Sequence, residues 1–220
     1  MSYTLIENFV PISLQNRLEE KFQYDTKWNY VTYTSGNEDN VIDQVDKNVL
    51  ECPQLTHVSH FNGHDHQGFN MANNVESFEL VTNVLYCLEL ISGCTVTEIH
   101  RIKTNMNLQD IRYDGKYHPP HADHKSSDYF SLIYYIKDSD GPTRLFNKST
   151  TDPFPYKDLK VIKAIEPKKG RGILFPSNLM HTGTCPTKNE NRLVINYIFK
   201  ADNLNLDFKN QSNASVRYAP

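Results

Sequence analysis

The sequence predicts a mainly β domain with packed helices: an antiparallel barrel or sandwich carrying a helical extension at its N-terminus. From Thr95 onward the chain breaks into short runs rich in β-branched and aromatic residues. Turn-forming pairs such as Asp114-Gly115, Asp140-Gly141 and Lys169-Gly170 separate them. Before Thr95 the apolar residues recur at helical spacing, so helices precede the strands and have an outer face of the sheet to cover. At 220 residues one barrel with an extension accounts for the whole length.

The elements follow in order. From Ser13, Leu14, Leu18 and Phe22 form one helical stripe, with Arg17, Glu19, Glu20 and Lys21 on the other faces. A second helix is predicted from about Asn74 to Ile91, with Val75, Phe78, Thr82, Leu85 and Leu88 along one side. Asn73 or Asn74 caps its start and Gly93 ends it. The stretch between them, Ser35 to Asn73, is rich in Asn, Asp, His and Gly and reads as a polar insertion or lid. Strands are predicted at Thr95 to Thr104, Leu108 to Tyr113, Tyr129 to Lys137, Thr143 to Phe146, Val161 to Ile165, Gly172 to Phe175 and Leu193 to Phe199. The expected organisation is one domain: a helical and irregular extension over 1–94, the β core over 95–202, and a polar, poorly ordered tail over 203–220.

Composition removes several function classes. A net charge of −3 without a concentrated basic face argues against nucleic acid and against an anionic membrane surface. Lys168, Lys169 and Arg171 around Gly170 read as a solvated turn. The opening residues lack the basic stretch, apolar run and cleavage site of a secretory signal, and no apolar run reaches the length of a membrane span. A cytoplasmic protein is therefore expected. Cys52, Cys87, Cys94 and Cys185 show no paired spacing and read as free thiols without a metal or redox role.

The chemistry-bearing residues cluster late in the chain. His121-Ala122-Asp123 places an imidazole and a carboxylate two residues apart, on the same side of an extended chain. Such a triplet arises by accident roughly 0.6 times in a chain of this composition, so it needs company. His181, after the apolar run Ile173-Leu174-Phe175 and the turn Pro176-Ser177, is placed at a strand rim to complete a two-histidine, one-carboxylate face, the set that holds non-haem Fe(II) with open positions opposite. Arg192 opens the apolar strand RLVINYIF, where a guanidinium calls for an acidic partner, and a bound dicarboxylate would provide one. His57, His60, His64 and His66 fall in the polar insertion and read as solvated or lid residues. His118 and His124 flank the triplet as candidate hydrogen-bond donors to it.

Taken together, these residues resemble the 2-oxoglutarate and Fe(II)-dependent dioxygenases, and within them the prolyl 4-hydroxylase-like branch. IRYDGKYHPPHADH is similar to the family's tyrosine, glycine, tyrosine, proline and HxD run. SLIYYIKD with DGPTRLF looks like the next strand and turn, with Pro142 where a second glycine is usual. EPKKGRGILFP and HTGTCPTKNENRLVINYIF resemble the strand before the distal histidine and the end of the core. The resemblance covers roughly residues 105–200 and implies a double-stranded β-helix, or jelly roll, for the core.

It further implies that His121, Asp123 and His181 ligate iron and that Arg192 binds the distal carboxylate of 2-oxoglutarate. Tyr135 would assist from the opposing strand, while Tyr134 faces the other way. Tyr113 sits where the family places a tyrosine near the metal end of the co-substrate; Tyr117 lies one residue farther from the triplet than is usual and receives no role. The implied cofactors are Fe(II), 2-oxoglutarate and O2. Asp123 as carboxylate ligand favours hydroxylation over halogenation. The implied reaction hydroxylates an organic substrate, a peptide, protein or small molecule with peptidyl proline as first candidate, and releases succinate and CO2. The competing expectations are a non-catalytic jelly-roll binding or structural module, and a zinc hydrolase, which the absence of an HExxH motif disfavours.

Overall fold

A computed structural model describes residues 3–34, 47–62, 75–153 and 155–208. Its core is a jelly roll of antiparallel strands. The large sheet runs in the order β1-β8-β5-β10-β4-β3-β2, built from β1 (Thr4–Ile6), β2 (Asn29–Val31), β3 (Gln54–Phe61), β4 (Thr95–Leu108), β5 (Phe130–Tyr135), β8 (Gly172–Pro176) and β10 (Asn191–Asp202). The small sheet has the order β7-β6-β9, from β6 (Thr143–Ser149), β7 (Val161–Ile165) and β9 (Leu179–Thr182). Two helices, α1 (Ile12–Tyr24) and α2 (Val75–Ser92), cover the outside of the large sheet.

Period-two alternation assigns each central strand two buried faces. On β5, Leu132 and Tyr134 point to the helices while Ile133 and Tyr135 point into the barrel. On β10, Leu193, Ile195, Tyr197 and Phe199 meet the helices, and Val194 lies inside. A strand covered on both sides reads as an uninterrupted apolar run, which is what RLVINYIF is. Polar residues on its inner side, Arg192 and Asn196, are conspicuous for that reason.

Helix α1 buries Leu18 and Phe22, with Gln15 beside them donating to the Val10 carbonyl. Pro11 cannot cap the helix with its side chain. Helix α2 buries Ser77, Val81, Val84, Leu85 and Leu88, each large apolar side chain contributing about 1.5–3 kcal/mol of transfer free energy. The expected stripe is therefore wider than its sequence spacing suggested: Thr82, Leu85 and Leu88 are buried, Phe78 packs against the core, and Val81 and Val84 join them. Gly93 ends the helix at φ 72°, a left-handed conformation that glycine adopts freely. The expected caps Asn73 and Asn74 lie outside the described residues.

Several expectations are corrected. The extension is not only helical and irregular: β1, β2 and β3 extend the large sheet at both edges. The Ser35 to Asn73 insertion contains the eight-residue strand β3, so His57 and His60 are strand residues; His64 and His66 lie outside the described residues. Buried His57 contacts Ser77 Oγ at 2.9 Å and the Lys27 carbonyl at 3.1 Å, and its imidazole is driven below the usual histidine range by that burial. Leu108 to Tyr113 is not a strand. β4 runs continuously to Leu108, and Ile111–Tyr113 forms a 3₁₀ turn capped by Asp110. Residues 179–182, unassigned from sequence, form β9.

The Lys169-Gly170 turn is more than solvated: Lys169 pairs with Glu19 at 2.6 Å and Arg171 with Glu7 at 2.7 Å, pinning the N-terminal extension to the barrel. The start of the expected tail returns to the core, where Leu204, Leu206 and Phe208 pack.

Candidate active site

The site is assembled by one backbone exchange. His121 N–H donates to the His181 carbonyl at 2.9 Å and His181 N–H donates back at 2.8 Å, which sets the two side chains next to each other. Their ring centroids are 4.6 Å apart. Each Nδ1 faces a local carbonyl, Pro119 at 3.3 Å for His121 and Leu179 at 3.0 Å for His181. A proton held there leaves each Nε2 with a free lone pair, the state in which imidazole binds a metal.

Asp123 completes the group. Its Oδ2 lies 3.5 Å from His181 Nε2, and one donor atom from each of His121, Asp123 and His181 lies within 4.8 Å of the others. The carboxylate is buried and well supplied with donors: Ser131 Oγ at 2.6 Å, Asn196 Nδ2 at 3.0 and 3.1 Å, and Arg101 Nη2 at 3.1 Å. Burial alone would push its carboxyl up, but the charges of His181, Arg101 and His121 and the Ser131 hydroxyl together hold it below the usual carboxylate range. Burial and the neighbouring His181 push the His121 imidazole down to about 3. A neutral imidazole and an ionised carboxylate are the protonation states that coordination requires. Two imidazole nitrogens and a carboxylate oxygen, without sulfur, fit Fe(II) as a non-haem centre.

A second group lies on the same inner face. Arg192 is 4 % exposed, and its guanidinium meets no carboxylate among the described residues. Its Nε donates to the Gly141 carbonyl at 2.8 Å and its Nη2 to Thr143 Oγ1 at 2.8 Å. Thr143 Oγ1 also accepts from the Tyr135 hydroxyl at 2.7 Å, and the Arg192 guanidinium carbon is 5.9 Å from the Tyr135 ring centre. Gly141 permits this contact: a Cβ there would overlap the Thr184 carbonyl and stand 3.1 Å from Arg192 Cδ. A buried cation with no anion is costly unless a ligand supplies one.

Thus His121, Asp123 and His181 are together, and Arg192 and Tyr135 are together through Thr143. Tyr113 belongs to a third group: its hydroxyl donates to the Leu50 carbonyl at 2.5 Å and lies 2.7 Å from His118 Nδ1. His118 therefore faces Tyr113, Cys52 and Cys185, while His124 stacks on Tyr129 with ring centroids 4.0 Å apart.

Sequence reasoning missed part of this inner face. On β4, Lys103, Asn105 and Asn107 lie opposite Asn196, Val194 and Arg192 of β10, and so share their inner face. Asn105 Oδ1, Asn107 Nδ2, Asn196 Oδ1 and Arg101 Nε are buried with no hydrogen-bond partner among the described residues. Burial, with Arg101 near it, pushes the Lys103 ammonium down to about 7. The signal was legible as polar residues at every second position of RIKTNMN, on an otherwise apolar strand.

Residues 108–200 match the model of the 2OG-Fe(II) oxygenase superfamily. The chain has a 2OG-Fe(II) oxygenase core. The superfamily's enzymes use Fe(II), 2-oxoglutarate and O2. Solved structures share the fold. A 2OG-Fe(II) oxygenase family oxidoreductase from Burkholderia pseudomallei is 15 % identical over 90 % of this chain and 85 % of that one, with TM-score 0.58. The non-haem alpha-ketoglutarate-dependent epimerase of nogalamycin biosynthesis is 6 % identical over 100 % of this chain and 87 % of its own, with TM-score 0.55. A prolyl hydroxylase from Trichoplax adhaerens, solved with a hypoxia-inducible-factor peptide, is 14 % identical over 90 % and 84 %, with TM-score 0.50. No curated protein matches the chain. Among the described residues no helix is long and apolar enough to cross a membrane.

Proposed function

We propose that the chain is an Fe(II)- and 2-oxoglutarate-dependent hydroxylase in which His121, Asp123 and His181 hold Fe(II) and Arg192 binds the distal carboxylate of 2-oxoglutarate. The observation that carries this reading is a two-histidine, one-carboxylate cluster on the same barrel face as a buried guanidinium that meets no carboxylate among the described residues. Bound together, iron, 2-oxoglutarate and oxygen supply the conversion of a C–H bond to C–OH, with succinate and CO2 as co-products.

The chain's own groups position and exclude. Ser131, Asn196 and Arg101 fix the Asp123 carboxylate, so that it presents a ligand oxygen without reorganising. Thr143 holds Arg192 and Tyr135 as one unit, leaving one edge of the guanidinium for a carboxylate. The apolar lining from Ile133, Ile173, Phe175 and Val194 keeps water from these charges and strengthens each contact.

A peptidyl proline is the first candidate substrate, on the prolyl 4-hydroxylase-like order of the motifs. Lys103, Arg101 and the unpaired amides of Asn105 and Asn107 favour a peptide with an acidic or amide side chain beside the target. The proposed setting is cytoplasmic. Anaerobic addition of Fe(II) and 2-oxoglutarate should give a weak visible charge-transfer band that His121→Ala abolishes, and proline peptides bearing an acidic neighbour should stimulate succinate release. No band in the native chain would refute the iron and co-substrate assignment. A band without succinate release from any proline peptide would refute the substrate alone.

A further inference from the structure

A second cluster of metal-binding type lies outside the oxygenase centre. Cys52 precedes β3, His118 precedes the HxD triplet and Cys185 follows β9, and all three side chains are buried. Cys52 Sγ and Cys185 Sγ are 3.2 Å apart although 133 residues separate them in the chain. Cys52 Sγ is 3.8 Å from His118 Nδ1 and Cys185 Sγ is 3.8 Å from His118 Nε2. One donor atom from each residue lies within 4.8 Å of the others.

We propose that Cys52, His118 and Cys185 supply three ligands of a second metal site for a soft divalent cation of the zinc type. Zinc–sulfur and zinc–nitrogen bonds of about 2.3 and 2.0–2.1 Å in a tetrahedron put neighbouring sulfurs about 3.8 Å apart and sulfur about 3.6 Å from nitrogen. With Nε2 as the ligand nitrogen, the sulfurs at 3.2 Å stand closer than their edge and Cys185 Sγ at 3.8 Å from Nε2 stands slightly beyond its own, so side-chain rotations close the site. Thiolate and imidazole donors select zinc over the oxygen-preferring cations. Two thiolates neutralise a divalent cation, which removes the main cost of burying it.

His118 is prepared for this role. The Tyr113 hydroxyl donates to the Leu50 carbonyl and its oxygen lies 2.7 Å from His118 Nδ1, so it receives the Nδ1 proton and leaves Nε2 as the ligand nitrogen. The site ties three chain segments into the wall behind Arg192. A Cβ at Gly183 would stand 3.4 Å from Arg192 Nη1 and 3.6 Å from His118 Cδ2.

The test uses the full chain, reduced and stripped of metal, titrated anaerobically with Co(II). The oxygenase centre contains no sulfur, so a sulfur-to-cobalt charge-transfer band in the near ultraviolet reports the second site alone. The band should saturate at one equivalent of this site, yield to Zn(II), persist in His121→Ala and Cys87→Ser, and vanish in Cys52→Ser and Cys185→Ser. Should those serine variants fail to fold, zinc should slow alkylation of Cys52 and Cys185 in the native chain at least tenfold relative to Cys87. Absence of the band in native protein overturns the proposal. So does a Cys52–Cys185 disulfide mapped in protein prepared without reductant and unaltered by prior zinc loading, or equal alkylation rates with and without zinc. None of these outcomes bears on iron at His121, Asp123 and His181.

Discussion

Replacing Arg192 with lysine tests the co-substrate assignment by arithmetic from the site. A guanidinium has five N–H donors. The Gly141 carbonyl takes the Nε proton and Thr143 Oγ1 takes one on Nη2, so three remain, two on Nη1 and one on Nη2. Those three form an edge able to grip a carboxylate with two parallel bonds. Lysine keeps the charge but presents a point donor, so one charge-assisted bond is lost, worth about 1.5–3 kcal/mol. The expected result is a rise in the 2-oxoglutarate dissociation constant of roughly 10- to 150-fold. Calorimetric titration of the Mn(II)-loaded chain without oxygen measures it. A 2-oxo monocarboxylate lacking the distal carboxylate supplies the control: native protein should bind it weakly, and Arg192→Lys should weaken it no further. A change below threefold for 2-oxoglutarate, or an equal loss for both ligands, would refute the pairing of Arg192 with the distal carboxylate.

Ser131→Ala removes the 2.6 Å hydrogen bond that orients Asp123 and should lower Fe(II) affinity roughly 10- to 100-fold, read by competition with a chelator while the melting temperature is monitored. Gly141→Ala drives a methyl group into the Thr184 carbonyl and against Arg192, and should cost about 1–3 kcal/mol in denaturant unfolding together with loss of 2-oxoglutarate binding. His57 is held neutral by burial, with the Lys21 charge acting in the same direction, so its folded pKa lies below the reference 6.5. Its contribution to stability is complete above that reference and is lost as pH falls toward the folded value. His57→Gln should therefore flatten the decline in melting temperature below pH 6.5, and an unchanged slope would count against this origin.

Local chemistry made part of this molecule legible. The helical spacing of Leu18 and Phe22, the glycine after α2, and the apolar alternation of β5 and β10 follow from the period of the backbone. Each is a property of residues within a few positions of one another. The polar stretch around β3 misled because its strand is stabilised by β4, whose partner residues lie forty or more positions away. The Leu108 to Tyr113 stretch misled because Asp110 diverts it into a 3₁₀ turn by accepting the Arg112 N–H two residues on. The separation of Tyr134 from Tyr135 was correct from alternation alone, since adjacent strand residues face opposite layers.

The order of motifs determined the oxygenase class, because residue types and spacing suffice to carry that pattern. Tertiary structure decided what surrounds them. It placed Ser131, Asn196 and Arg101 on Asp123, left Arg192 without a carboxylate among the described residues, and set the alternate polar residues of β4 on the same inner face. It also brought Cys52 and Cys185 together beside His118, and drew Tyr113 to that cluster. Contacts of this kind join strands that are distant in sequence and adjacent only through sheet pairing, so no local pattern could have announced them.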